Sequence, residues 1–375
     1  MDLTRTAFGS WSGGRFMHFG EALDDERFAA LVHRSFEKGT RTFITADVYG
    51  GGRADTLMAE SLKGLPREEY CLVGMIGHDF YDGLRSGAKG YPRFTDPSLR
   101  GPDKYEEYVL MATEKSLARV NANKFDLLML HNPDSIGYGS DAVWKAMEKL
   151  KTRGLTDRLG IAPGPANGFT LDIIDCFEKF GALIDWAMLI LNPFEPWPGQ
   201  HVLAAARKHN VDILARVVDF GGIFHDDVKP GHKFKDGDHR THRPAGWVEH
   251  GCGKLEKVRP FAQKHGLTMM QLSALWDLAQ EPVKSVVPTL IQEAHEGAKT
   301  IESKVDELAA LPKTNPLSAD EVAQITAIGD NTGCMTLKGA SERHLGQEPR
   351  ADEWPINDEL VSLASRWGLG QKWAW

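Results

Sequence analysis

The stretch Phe43–Gly64, FITADVYGGGRADTLMAESLKG, changes its periodicity halfway along. With Arg41 and Thr42 before it, the first part is a short, mostly apolar run that ends in a turn, which is the pattern of a buried strand. Three glycines, Gly50 to Gly52, interrupt it. Apolar residues then recur at Ala54, Leu57, Met58 and Leu62, a helical spacing, until Gly64 stops the helix. A strand that passes at once into an amphipathic helix is half of a βαβ unit. The same alternation runs outward in both directions. Strands are predicted at 70–77, 125–132, 158–164, 186–193, 211–218 and 283–289, and helical patterns at 27–39, 104–120 and 142–154. Repeated strand-helix units with right-handed crossovers build a parallel sheet that can close on itself. The expected fold is therefore α/β, a (β/α)8 TIM barrel over residues 1–329 with long loops. A polar, Trp-rich C-terminal extension, 330–375, is expected to pack on this barrel and cross its mouth.

Composition narrows the function classes. The 375 residues are 42% hydrophobic and 26% charged, with a formal net charge of -8 and no run of Lys or Arg. Phosphate backbones need a concentrated basic surface, so nucleic acid is excluded as a partner. Cys71, Cys176, Cys252 and Cys334 lie far apart, without the paired spacing of zinc sites or disulfide frameworks. The N-terminus is polar and Gly-rich, and no apolar stretch approaches the roughly 20 residues of a membrane span. A cytoplasmic protein with a small-molecule substrate and no membrane partner is expected, with homo-oligomerisation left open.

Phe43–Gly64 also resembles the second strand and loop of the aldo-keto reductase superfamily, where a catalytic Tyr follows an Asp-Thr-Ala stretch and opens onto a Gly-rich turn. Phe125–Asp134, FDLLMLHNPD, resembles that family's fourth strand, which ends in the catalytic His. The resemblance runs from about Arg41 to Leu308 and implies Tyr49 and His131 as catalytic residues. It also implies NADP(H) as cofactor, with an Asp-Lys pair tuning the Tyr. Here the Asp position holds Ile44 and the Lys position Met75. The Ser-Asn pair for the nicotinamide amide reads Ala162-Pro163, and the Gln position reads Ile190. The loop 288–299 lacks the early basic residue for the adenosine phosphate. Each buried polar group left unpaired costs roughly 1 to 3 kcal/mol. The substitutions therefore predict weak NADP(H) binding or none, and no cofactor enters the main reading. Without the Lys, the Tyr49 pKa should stay near its ordinary value or rise with burial.

In a TIM barrel the chemistry sits on loops at the C-terminal ends of the strands. Asp47 lies two residues before Tyr49, so a strand continuing through both would aim a carboxylate base beside the phenol. The catalytic set expected is Tyr49, His131 and Asp47. His78, Asp79, Asn132, Glu195, Trp197, Arg216 and Asp219 are expected to bind substrate, with Arg216 a ligand for a carboxylate or sugar, or else one half of a structural ion pair. The segment 225–242, with His225, Asp226, Asp227, His232, Asp238, His239 and His242, has residue types suited to a divalent metal but no ligand spacing, and a polar lid has the same composition. Trp197, Trp247, Trp354, Trp367, Trp373 and Trp375 offer planes on which sugar rings could stack, or seal the barrel.

The function expected first is acid-base chemistry (elimination, hydration, isomerisation or glycosidic cleavage) on a hydroxylated carbonyl or sugar. The alternatives are an NAD(P)H-dependent reductase with altered cofactor contacts, and a catalytically silent binding subunit.

Overall fold

The computed structural model describes residues 1–87, 90–164, 169–334 and 356–369. Eight parallel strands follow one another in sequence order: β1 (Ala7–Gly9), β2 (Thr42–Ile44), β3 (Cys71–Ile76), β4 (Leu127–His131), β5 (Leu159–Ala162), β6 (Trp186–Ile190), β7 (Asp212–Arg216) and β8 (Val283–Val287). A parallel bridge between Thr6 and Val286 brings the last strand back to the first and closes the barrel. Strands β2 to β8 lie within the apolar runs of the sequence. Strand β1 does not, because three residues in a Gly- and Ser-rich stretch are too few to form a periodic run.

Around the sheet stand α1 (Asp25–Glu37), α2 (Arg53–Leu62), α3 (Tyr105–Val120), α4 (Ser135–Gly139), α5 (Asp141–Thr152), α6 (Thr170–Phe180), α7 (Gln200–His209), α8 (Trp247–Lys264), α9 (Met269–Leu278), α10 (Ile301–Ala309) and α11 (Ala319–Gly329). Their starts are chemically marked. The Asp24 side chain accepts from the Arg27 amide, and Thr268–Gln271 and Ser318–Glu321 form reciprocal capping boxes.

Strand alternation divides the core into two layers. Leu127 and Met129 fill the barrel interior with Ile44, Val73, Met75 and Leu214, while Leu128 and Leu130 pack outward against the helices.

The described part of the extension begins at the loop after β6, where Asn331 bonds the Trp197 amide and carbonyl at 3.0 and 2.8 Å, and resumes on the flank. Helix α12 (Asp358–Arg366) lays Leu360, Leu363 and Ala364 onto the barrel and lies against α6. Lys179 pairs with Glu359 at 2.9 Å and Arg366 with Glu178 at 2.7 Å. The apolar face of α12 dictates this site, since only a helical surface buries it. Trp354, Trp373 and Trp375 fall outside the described residues.

The segment 221–246 is held fast. Arg240, 1% exposed, donates to both Asp238 and Glu293, and Asp238 also accepts the Gly20 amide at 2.7 Å. Lys304, fully buried, pairs with Asp227 at 2.7 Å. Among the described residues no helix is long and apolar enough to cross a membrane.

Candidate active site

Strand β2 carries the first functional side chain and then breaks. Hydrogen bonds to β3 persist beyond its end, from Thr45 to Val73 at 2.9 Å and from Asp47 to Met75 at 3.1 Å. Alternation therefore holds through Asp47, which turns outward while Ile44 and Ala46 turn in. A 3-10 turn then starts at Tyr49, whose amide bonds back to the Ala46 carbonyl. This turn swings the phenol to the inner side of the mouth. The expectation that Asp47 and Tyr49 point the same way fails here, because the extended chain does not continue to residue 49.

Tyr49 stands edge-on to His131, the last residue of β4, with ring centroids 5.6 Å apart. His78 meets the other side of His131 at 5.1 Å. The approach of these strand ends depends on Gly77, at φ +151°, where a Cβ would sit 2.7 Å from the His131 carbonyl oxygen. Arg216 ends β7, two residues beyond inward-facing Leu214, and its register partners are Ile190 and Val287. Its Nη2 donates to the Pro163 and Gly164 carbonyls at 3.0 and 2.6 Å.

Burial sets the protonation states. The Tyr49 phenol is pushed up to about 12 by burial, against the lowering field of Arg216. His131 lies well below its ordinary value, through burial and then the fields of His78, Arg216 and Arg93. His78 is lowered to about 3, chiefly by burial. At neutral pH the site thus holds a protonated phenol, neutral imidazoles and a guanidinium. This set can donate to a substrate oxygen and stabilise negative charge on it.

The remaining candidates divide. His78 has both nitrogens engaged, Nδ1 with the Tyr91 carbonyl at 3.3 Å and Nε2 with the Asn132 side-chain amide at 3.1 Å, so it packs beside His131 already satisfied. Asp79, expected to bind substrate, instead accepts the Tyr81 and Asp82 amides and pairs with Arg100. Asp47 is fully buried, and its carboxyl is held well above the ordinary range, first by burial and then by Asp55. Turned behind the strand, this carboxyl does not face Tyr49 at the mouth. Glu195 accepts from Asn192 at 2.9 Å and is one of the groups whose field reaches Arg216. Asp219 accepts the Thr289 amide at 2.8 Å and ties β7 to the rim after β8. Trp197 and Trp247 are 2% and 4% exposed, too buried to receive a sugar face, and Trp367 donates to Glu178 on the outer flank. No three His, Cys, Asp or Glu side chains among the described residues are grouped to hold a metal, and Asp226, Asp227 and Asp238 are paired with Arg259, Lys304 and Arg240.

Two neighbours of the site were not foreseen. Trp11 meets Tyr49 edge-on at 6.5 Å, and Gly9 permits this because a Cβ there would fall 2.4 Å from the indole. An isolated Trp within Gly9–Gly14 was the available signal. Tyr138, from α4, acts on Arg216, and nothing in sequence spacing announces it.

A model of the Aldo/keto reductase family matches residues 7–330. A probable voltage-gated potassium channel subunit beta of Arabidopsis thaliana is 20% identical, over 87% of this chain and 93% of its own. A probable aldo-keto reductase 1 of Glycine max is 23% identical, over 86% and 85%. Among solved structures, a glycerol dehydrogenase of Gluconobacter oxydans has a TM-score of 0.67 at 22% identity, covering 88% of this chain and 92% of its own. An aldo-keto reductase of Klebsiella pneumoniae in complex with NADPH has 0.57 at 19%, covering 87% and 91%.

Proposed function

The chain belongs to the aldo/keto reductase family, and from that premise we propose that it is an enzyme whose mouth grips the oxygen of a carbonyl or alcohol substrate between Tyr49 and His131. The observation that carries this reading is their edge-on contact at the mouth with Arg216 alongside. In the proposed reaction the Tyr49 hydroxyl donates its proton to the substrate oxygen, and the His131 imidazole makes the second hydrogen bond. The Arg216 guanidinium lowers the energy of negative charge there. Interconversion of carbonyl and alcohol is the reaction supported by the names of the relatives, which include reductases and a dehydrogenase. They favour this alternative over the non-redox expectation.

In the family NADP(H) supplies hydride, and the residues in place here do not fit the family's way of holding it. The positions for the nicotinamide amide are Ala162 and Pro163, without side-chain donors or acceptors. The loop after β8 is engaged internally, with the Leu290 and Gln292 carbonyls accepting from Gly13 and Glu21 and the Glu293 carboxylate held by Arg240. We derive no step through the cofactor. This misfit is the specific ground for a second reading, acid-base chemistry on a hydroxylated carbonyl or sugar without hydride transfer.

One experiment separates the readings. Hydroxylated aldehydes, 3-keto sugars and glycosides are assayed with and without NADPH or NADH, while a fluorescence titration measures nucleotide binding. Submicromolar NADPH binding with nucleotide-dependent turnover selects oxidoreduction, and turnover without nucleotide selects the second reading. Wild-type rates in both Tyr49→Phe and His131→Ala would overturn the oxygen site itself.

A further inference from the structure

Among the described residues the groups at the mouth are only partly satisfied. Among the described residues His131 Nδ1 is buried without a partner, and the side-chain contacts of Tyr49 are the rings of Trp11 and His131. The bonds of Arg216 are the two from Nη2 to backbone carbonyls, which leave Nη1 and Nε unused. Among the described residues no carboxylate forms an ion pair with this guanidinium, although the field of Glu195, itself engaged by Asn192, reaches it. The groups whose fields reach His131 are His78, Arg216 and Arg93, with no acid among them. The barrel floor beneath is apolar, Ile44, Met75 and Val287. A guanidinium recessed among such neighbours calls for an anion to balance it.

We propose that the substrate is a small hydroxy or oxo carboxylic acid, its carboxylate bound by Arg216 and its neighbouring oxygen by Tyr49 and His131. This rests on the oxygen-gripping reading above and adds the substrate class. A single cationic charge balances a monoanionic carboxylate. A phosphate dianion would leave one negative charge uncompensated over an apolar floor. Nη1 carries two hydrogens, and with the phenol it spans a carboxylate oxygen and the adjacent carbonyl or hydroxyl oxygen of a 2-oxo or 2-hydroxy acid. The same guanidinium then withdraws electron density at the reacting carbon, a role that a remote structural ion pair could not fill.

The test is calorimetric, on the full chain. Glyoxylate, pyruvate and gluconate are titrated against the neutral glycolaldehyde, dihydroxyacetone and glucose. The acids should bind at least about tenfold more tightly than the neutral compounds. Arg216→Met should bring the acids down to the level of the neutral compounds, and Arg216→Lys should restore part of the difference. Equal binding of acids and neutral compounds, no binding of any acid, or an acid preference that survives Arg216→Met would each overturn the proposal. If Arg216→Met loses its folded near-ultraviolet dichroism, the lysine variant, which keeps the charge, is compared with Arg216→Gln instead. Should Tyr49→Phe and His131→Ala leave acid binding and turnover unchanged while Arg216→Met erases binding, the anion site stands and the oxygen site falls.

Discussion

Arg216, half-buried, and Arg240, buried, are arginines of the loop-bearing side of the barrel, and the molecule treats them in opposite ways. Arg240 is 1% exposed and divides its donors between Asp238, Glu293 and the Gly221 carbonyl. Among the described residues Arg216 has two backbone carbonyls and no bonded carboxylate. Around Arg240 every charge has its partner, so the segment 221–246, the N-terminal loop at Gly20 and the rim after β8 are locked together. Around Arg216 the donors outnumber the acceptors. The paired buried charge holds structure, and the proposed carboxylate ligand is what would balance the other.

The comparison breaks most visibly in stability. Arg240→Met leaves two carboxylates buried and unpaired and should cost about 3 to 5 kcal/mol. Arg216→Met removes a charge with no bonded carboxylate among the described residues and should cost less than about 1 kcal/mol. Urea unfolding of the two variants measures both, and equal losses would mean that Arg216 is structural as well.

Catalysis supplies the next contrast. Tyr49→Phe and His131→Ala should each lower turnover by at least about 10²-fold, whereas Arg240→Lys, away from the oxygen, should change kcat little in the protein that remains folded. Steady-state kinetics on whichever substrate turns over checks this.

A third difference is in pH dependence. With Tyr49 raised to about 12 and His131 neutral well below its ordinary range, kcat/KM should be flat across the neutral region, with no acidic limb near pH 6.5. A bell centred at neutral pH would place another group in charge of the proton.

The smallest effect concerns Asp47. Its folded pKa lies above the unfolded value of 3.8, so its contribution to stability is full below that value and is lost as pH rises through the folded one. Asp47→Asn should therefore gain in melting temperature relative to wild type as pH is raised. A gap independent of pH would show that the carboxyl is already ionised and paired.

The legibility of the chain followed local order. Strands β2 to β8 could be read because each carries its own apolar run, and β1 could not, since Ala7–Gly9 is held only by its partners in β2 and the Thr6–Val286 bridge. Tyr49 and His131 were legible from motif spacing. Asp47 was misplaced because the point at which an extended chain turns depends on the 3-10 hydrogen bond from Tyr49 to Ala46. Of the extension expected over the mouth, residues 335–355 and 370–375 lie outside the described residues, Asn331 bonds Trp197 after β6, and α12 lies on α6, where charge pairs with Glu178 and Lys179 direct it.

By itself, the sequence determined the alternation of strands and helices, the family likeness with its Tyr and His, and the loss of the Lys at Met75, since all of these reside in local periodicity and residue identity. Only the tertiary structure decided which charges are paired. Arg216 and Arg240 look alike in a string of letters. Whether a guanidinium finds a carboxylate depends on which loops the barrel brings within about 3 Å of each other, and that distance is set by residues far away in the chain.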